Sequence, residues 1–211
     1  MMKDPHRCDS VFKRSVLDVC YNALERQGFI RFKKDEVDWP LHDGFHCWVG
    51  LNTALNSAYV EVNPFVGIHV VPIMKMHTSL EGRKYNRGYA TYAIHLGEVA
   101  PDEDAFRFTL RTNIEAEARR LAMLYTTVGL GCASEIATYE ALLPLLEDRI
   151  GMLGGYPERV ACCLYLMGRI NEAQLFAETF LAKEPNYFDC FAQQFLKMIR
   201  DGAGQDSPRR A

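Results

Sequence analysis

Between Phe45 and Asn63 the chain alternates apolar and polar residues with a period of two, a pattern that only a pleated strand can use to separate two faces. Phe45, Cys47, Val49 and Leu51 fall on one side, with His46, Trp48 and Asn52 on the other. Ala58, Val60 and Val62 then alternate with Tyr59, Glu61 and Asn63, and Asn56-Ser57 supplies turn chemistry between the two runs. A hairpin follows, with Pro64 expected to end its second strand. The return to the sheet is a third alternating stretch, Tyr89 to Gly97, which carries Ala90, Tyr92, Ile94 and Leu96 on one face. An apolar helical patch lies between Ile68 and Leu80, and Phe106, Phe108 and Leu110 read as a last edge strand or as the lead into a helix.

Helical signals flank this sheet. Asp9 or Ser10 can cap a helix whose apolar positions Phe12, Val16, Val19, Cys20, Ala23 and Leu24 recur at helical spacing, and Gly28 is placed to end it. Phe29 to Phe32 reads as a short strand, and the charged stretch Lys33 to Gly44, with Trp39-Pro40, as a loop. Thr112-Asn113-Ile114-Glu115 fits a capping box for a helix to Val128 that Gly129 and Gly131 stop. Ser134 is expected to cap a helix through Ile150 that Pro144 kinks, before Gly151, Gly154 and Gly155 break the chain. Pro157 suits a first helical turn, and helices are expected over 158–167, 171–183 and 187–200. The expected architecture is α+β: a small antiparallel sheet packed by helices over 1–111, an all-helical C-terminal part over 112–200 packed on it, and a disordered tail over 201–211.

Within the helical part, Tyr156 to Pro185 places Ala161 on the first helix, Gly168 at the turn, Ala173 at the crossing on the second helix and Pro185 at the close. This stretch, with the run LMGRINEAQLFAETFLAKEPN, resembles one tetratricopeptide (TPR) repeat, a helix-turn-helix unit of about 34 residues. The resemblance implies a helical hairpin that serves either packing or partner binding. The order of elements in the first 110 residues loosely resembles small bacterial domains, some of which are immunity or accessory proteins.

Composition narrows the function by exclusion. A chain of 211 residues, 48% hydrophobic and 24% charged, can bury a substantial core, and a net charge of -3 does not suit a nucleic-acid binder. The seven cysteines, two of them adjacent at Cys162 and Cys163, form neither a disulfide framework nor zinc knuckles, which fits reduced thiols in a cytoplasmic protein. The start MMKDPHRCDSVFKRS has no apolar signal run, and no eighteen-residue apolar window suggests a membrane span.

Two sets of histidines are candidates for chemistry. His42, Asp43, His46 and Cys47 are dense in ligand atoms, but the strand pattern does not converge two histidines as a helix does, so no metal is expected there. His69, His77 and His95 could supply a base, yet no marker places a nucleophile beside them. Phosphate-cradling loops and a hydrolase elbow are missing, so neither a catalytic residue nor a cofactor is expected. The binding residues expected are Arg83, Lys84, Tyr85 and Arg87, in a basic and aromatic loop, and a second charged loop of opposite sign, 98–104, offers a further docking surface. On this reading the chain is a non-catalytic protein-binding module, such as a bacterial immunity or accessory protein that occludes one protein partner. Trp39, Trp48 or Tyr85 would be its anchors where they are exposed, it would have no membrane or nucleic-acid partner, and its oligomeric state is open. The alternative is a small-ligand- or metal-dependent enzyme that uses histidines 46, 69 and 95 between sheet and helices.

Overall fold

Asp43 and Gly44 both adopt positive φ, 44° and 80°, the backbone that a two-residue hairpin turn demands. They join β2 (Glu36–His42) to β3 (Phe45–Leu55), so most of the stretch expected to be a loop is a strand. The correction has a simple cause. Val37, Trp39 and Leu41 alternate with polar neighbours, and Pro40 is tolerated where the β2 and β3 register slips between Pro40 and His42.

The computed structural model describes residues 7–103, 105–152 and 155–203, and these divide into two compact units. Gly154, Asp104 and the tail beyond 203, all of which carried expectations, lie outside the described residues. The first unit comprises residues up to His69 together with 88–137. Its six-stranded antiparallel sheet runs in the order β1 (Ile30–Lys33), β2, β3, β4 (Val60–Val70), β5 (Tyr92–His95), with β6 (Phe106–Phe108) also pairing β4. The edge-strand reading of Phe106 and Phe108 therefore holds.

Pro64 does not end β4, which continues for eleven residues. β6 pairs with Val60 to Val62 and β5 with Phe65 to Ile68, so the proline falls in the gap between two partners, where its missing N–H interrupts neither ladder. The expected third strand is shorter than its pattern, because Leu96–Glu98 coils into a 3-10 turn capped by the His95 ring. Ile68 to Val70, expected to be helical, belong to β4.

Three helices complete this unit. α1 (Ser10–Arg26) starts where Asp9 Oδ1 accepts from the backbone of Val11 and Phe12, both at 2.9 Å, and the chain leaves it through Gly28 at φ 102°, as its sequence predicts. α3 (Ile114–Leu124) is capped by Asn113 rather than Thr112 and does not stop at the glycines. Instead it passes through a π-helical turn, Tyr125–Gly129, into α4 (Leu130–Glu135). Gly129 is needed there for closeness: a Cβ would sit 3.2 Å from the Tyr125 ring and 3.3 Å from Val66. The wider turn holds Tyr125 fully buried, with its hydroxyl donating to Phe65 O at 2.9 Å and Gly50 O at 3.3 Å. Val16, Cys20 and Leu24 of α1, Leu121 of α3, Cys47 and Val49 of β3 and Val62 and Val66 of β4 close around it as one apolar core.

The second unit comprises 70–87 and the chain from 138 onward. α2 (Val71–Leu80) begins directly at the end of β4. α5 (Tyr139–Asp148) is capped by Thr138, whose hydroxyl accepts from Ala141 N, while Ser134, the expected cap, bonds back to Leu130 O instead. Pro144 is accommodated within α5. α6 (Pro157–Leu166) opens on the predicted proline, turns through Gly168 at φ 75° and pairs with α7 (Ile170–Lys183). α8 (Pro185–Ala203) packs on α7, and α2 packs on both α6 and α8. α6 is the axis of the bundle, buried continuously from Pro157 to Leu164. Phe188, Phe191 and Phe195 recur along α8 at helical spacing with successive ring centres 5.3 Å apart, the first pair tilted and the second stacked, and Phe180 closes edge-on against Phe188 at 4.9 Å.

All seven cysteines are free, and only Cys190 is exposed. Burial pushes the thiols of Cys20 and Cys47 up to about 12, which keeps them protonated and inert as core residues. No helix among the described residues is long and apolar enough to cross a membrane.

Candidate functional site

The basic loop is less free than its sequence suggests. Arg83 is 70% exposed but leans on Glu81 at 3.3 Å, and Lys84 is exposed. Tyr85 is half-buried under the Lys75 ammonium, 5.7 Å from its ring centre, and Arg87 is half-buried with partners of its own. The acidic loop is likewise engaged: Glu98 accepts from His95 N, and Glu103 pairs with Arg120 at 2.8 Å.

Both tryptophans named as anchors are half-buried and have partners of their own. Trp39 packs against the core with its ring edge-on to Phe29 at 5.4 Å. The indole of Trp48 donates to Gly88 O at 2.9 Å.

The histidines separate into three places. His46 approaches the buried carboxylate of Asp38 at 3.5 Å and lies 6.2 Å from the ring of His69, whose Nδ1 is 2.7 Å from Tyr89 O. His95 does not join them, because its Nδ1 accepts from Gly97 N as a turn cap and it pairs across from Phe65, four residues before His69 on β4. The set His42, Asp43, His46 and Cys47 does not converge either: Cys47 is in the core, His42 stacks on Phe45, and the period-2 strand turns His46 away from Cys47.

His77 belongs to the helical unit. It lies in the last turn of α2, and Glu81 is the residue that ends that helix, four positions on and therefore on the same face. Glu158, in the first turn of α6, closes the group: one ligand atom from each of the three lies within 4.8 Å of the others. His77 and Glu158 are 5% and 3% exposed, and Arg159 beside them is stacked 3.8 Å over the Tyr156 ring. Burial, with Arg159 and Arg83 adding repulsion, pulls the His77 imidazole down to about 4, so it is neutral at physiological pH. Burial and the neighbouring Glu81 push the Glu158 carboxyl above its usual range.

No family model, curated protein or solved structure matches this chain. Its site is therefore read from its own geometry.

One open apolar surface stands out in the helical unit. Leu164, Leu175, Phe176, Thr179 and Phe180 line a groove of about 320 Å³ along α7, and Glu147, Arg169, Glu172 and Lys183 stand at its rim. Leu175 is 65% exposed, although leucine on a helix is ordinarily turned toward a core. The sequence offered a signal for it: Leu175, Phe176, Thr179 and Phe180 recur at the i, i+1, i+4, i+5 spacing of a second face on a helix that already buries Ala173 and Ala177.

Proposed function

We propose that the chain is a non-catalytic protein-binding module, of the kind in which an immunity or accessory protein binds and occludes one partner, and that α7 carries the docking groove. The observation that supports this reading most is the exposure of Leu175 at the mouth of an apolar groove bounded by charged residues of both signs. Large side chains set in a groove of this kind are the usual receptors for the apolar anchors of an amphipathic helix, with the polar rim fixing register. The TPR-like reading of 156–185 allows either packing or partner binding for this hairpin, and the groove on α7 favours the second. Arg83 and Lys84 remain the exposed positive charges of the basic loop and would act on the rate of encounter rather than on affinity.

The test is a paired co-purification of the full chain and its Leu175→Glu variant from the native cells. The glutamate places a charge in the groove mouth while leaving the buried Ala173 and Ala177 face untouched, so helical content should not change. Loss of about 2 kcal/mol or more, at least tenfold in the amount of partner retained, is expected of a central anchor position. Equal retention by both forms would take α7 out of the binding surface.

A further inference from the structure

His77 Nε2 and Glu81 Oε2 are 3.0 Å apart, yet Glu81 Oε2 is buried without a hydrogen bond, so the two atoms are close but not aligned as donor and acceptor. The orphaned atoms extend beyond this pair. His77 Nδ1 and Glu158 Oε2 are also buried without a hydrogen-bond partner, on side chains more than nine-tenths inaccessible. Buried polar atoms left in this condition are costly, and two of them, the carboxylate oxygens Glu81 Oε2 and Glu158 Oε2, belong to one cluster with the His77 imidazole, whose Nε2 faces Glu81, and call for something that satisfies them together.

A cation does so. Ligand atoms around a tetrahedral ion with bonds of about 2.0 Å are separated by roughly 3.3 Å, close to the spacing of His77 Nε2 and Glu81 Oε2. Ligands of one ion face a common centre rather than one another, which accounts for a short contact without hydrogen-bond alignment. Nitrogen and carboxylate oxygens together match zinc and its transition-metal neighbours better than calcium or magnesium, which favour oxygen alone. The two carboxylates balance the charge of a divalent ion. Arg83, which leans on Glu81, is 70% exposed and can turn out to solvent, while Arg159 stays stacked on Tyr156.

We propose that His77, Glu81 and Glu158 form a binding site for one divalent transition-metal ion of the zinc class, which fastens the end of α2 to the start of α6. Three protein ligands leave a fourth position for water. The site does not depend on the docking groove, because no residue is shared between them.

The full chain, stripped with a chelator, is titrated with Zn²⁺ alone against a chromogenic competitor, and its thermal midpoint is recorded with and without the ion. One ion per chain is expected, with a higher midpoint, and Glu158→Gln and His77→Gln each lose more than about tenfold in affinity together with the Zn²⁺-dependent rise. No stoichiometric uptake by the wild type, or uptake and stabilisation that are equal in the wild type and both variants, overturns the site. Should the variants fail to fold, the Co²⁺ spectrum of the wild type decides. Ligand-field bands without thiolate charge transfer support the His77, Glu81 and Glu158 set, and a thiolate band assigns the metal to cysteines and overturns it.

Discussion

Tyr125→Ala is expected to destabilise the sheet unit by about 3–5 kcal/mol, the range for removing a fully buried aromatic ring from a core that relaxes only in part. Tyr125 is placed for an effect of this size. Its ring fills the space between α1, α3 and the sheet, edge-on to Phe29 at 6.2 Å, and its hydroxyl reaches two strand carbonyls, Phe65 O and Gly50 O. Tyr125→Phe separates the two contributions, since it keeps the ring and removes only the hydroxyl, at a cost of about 1–2 kcal/mol for the carbonyls left without it. Urea denaturation followed by the signal of the sheet unit measures both. A Tyr125→Ala loss no larger than that of Tyr125→Phe would mean that the π-helical turn does not serve to seat this ring.

The second large effect is expected at Gly67. It stands opposite Ala93 where β4 pairs β5, and a Cβ there would lie 2.0 Å from Tyr92 O, 2.7 Å from Ala93 Cα and 2.8 Å from Ala93 Cβ. Two of these three atoms are backbone and cannot swing aside, so Gly67→Val must push β5 away from β4, at about 3 kcal/mol or more. Gly131→Ala is the control: it is also a glycine in the sheet unit, but it lies in α4 with nothing within 4 Å of a Cβ, and alanine there should be neutral or stabilising by up to about 1 kcal/mol. Hydrogen exchange reads the difference locally. In Gly67→Val the amides of β5 should lose protection while those of β2 and β3 keep it, and unchanged protection across β5 would contradict the close approach.

Much of this architecture is legible from local chemistry, and what is not has physical reasons. The cap at Asp9, the left-handed exit at Gly28, the β3 to β4 hairpin and the proline that opens α6 each rest on one or two neighbouring residues, so short-range rules find them. β2 was hidden because Lys33, Lys34 and Asp35 make its approach look like loop and Pro40 sits within it. The decisive mark was Asp43-Gly44, a two-residue hairpin turn whose strand partner lies on its other side. Pro64 misled for a related reason, since proline breaks a strand only where a neighbour needs its N–H, and which neighbour stands there is decided by residues 92–95 and 106–108. Gly129 looks like a stop because glycine weakens helices, whereas its lack of a side chain is what lets the π-helical turn close on Val66.

The candidate site was legible to the same degree. His77 and Glu81 at i, i+4 form a pair that sequence spacing can expose, but Glu158 joins them only because α2 packs on α6, a tertiary contact without a local mark. The basic loop was visible as composition. What composition could not convey is that Tyr85 and Arg87 are half-buried and that Arg83 leans on Glu81, whereas α7 carries an open apolar groove.

Native mass spectrometry of the full chain purified gently from its own cells tests most directly the proposal that this chain works by binding another protein. The predicted result is a complex of defined stoichiometry with one second polypeptide, whose cross-links to this chain fall on α7 around Leu175 and Phe176. A chain that runs alone or only with copies of itself, at concentrations and salt where the cell lysate was never diluted beyond its physiological range, would contradict it.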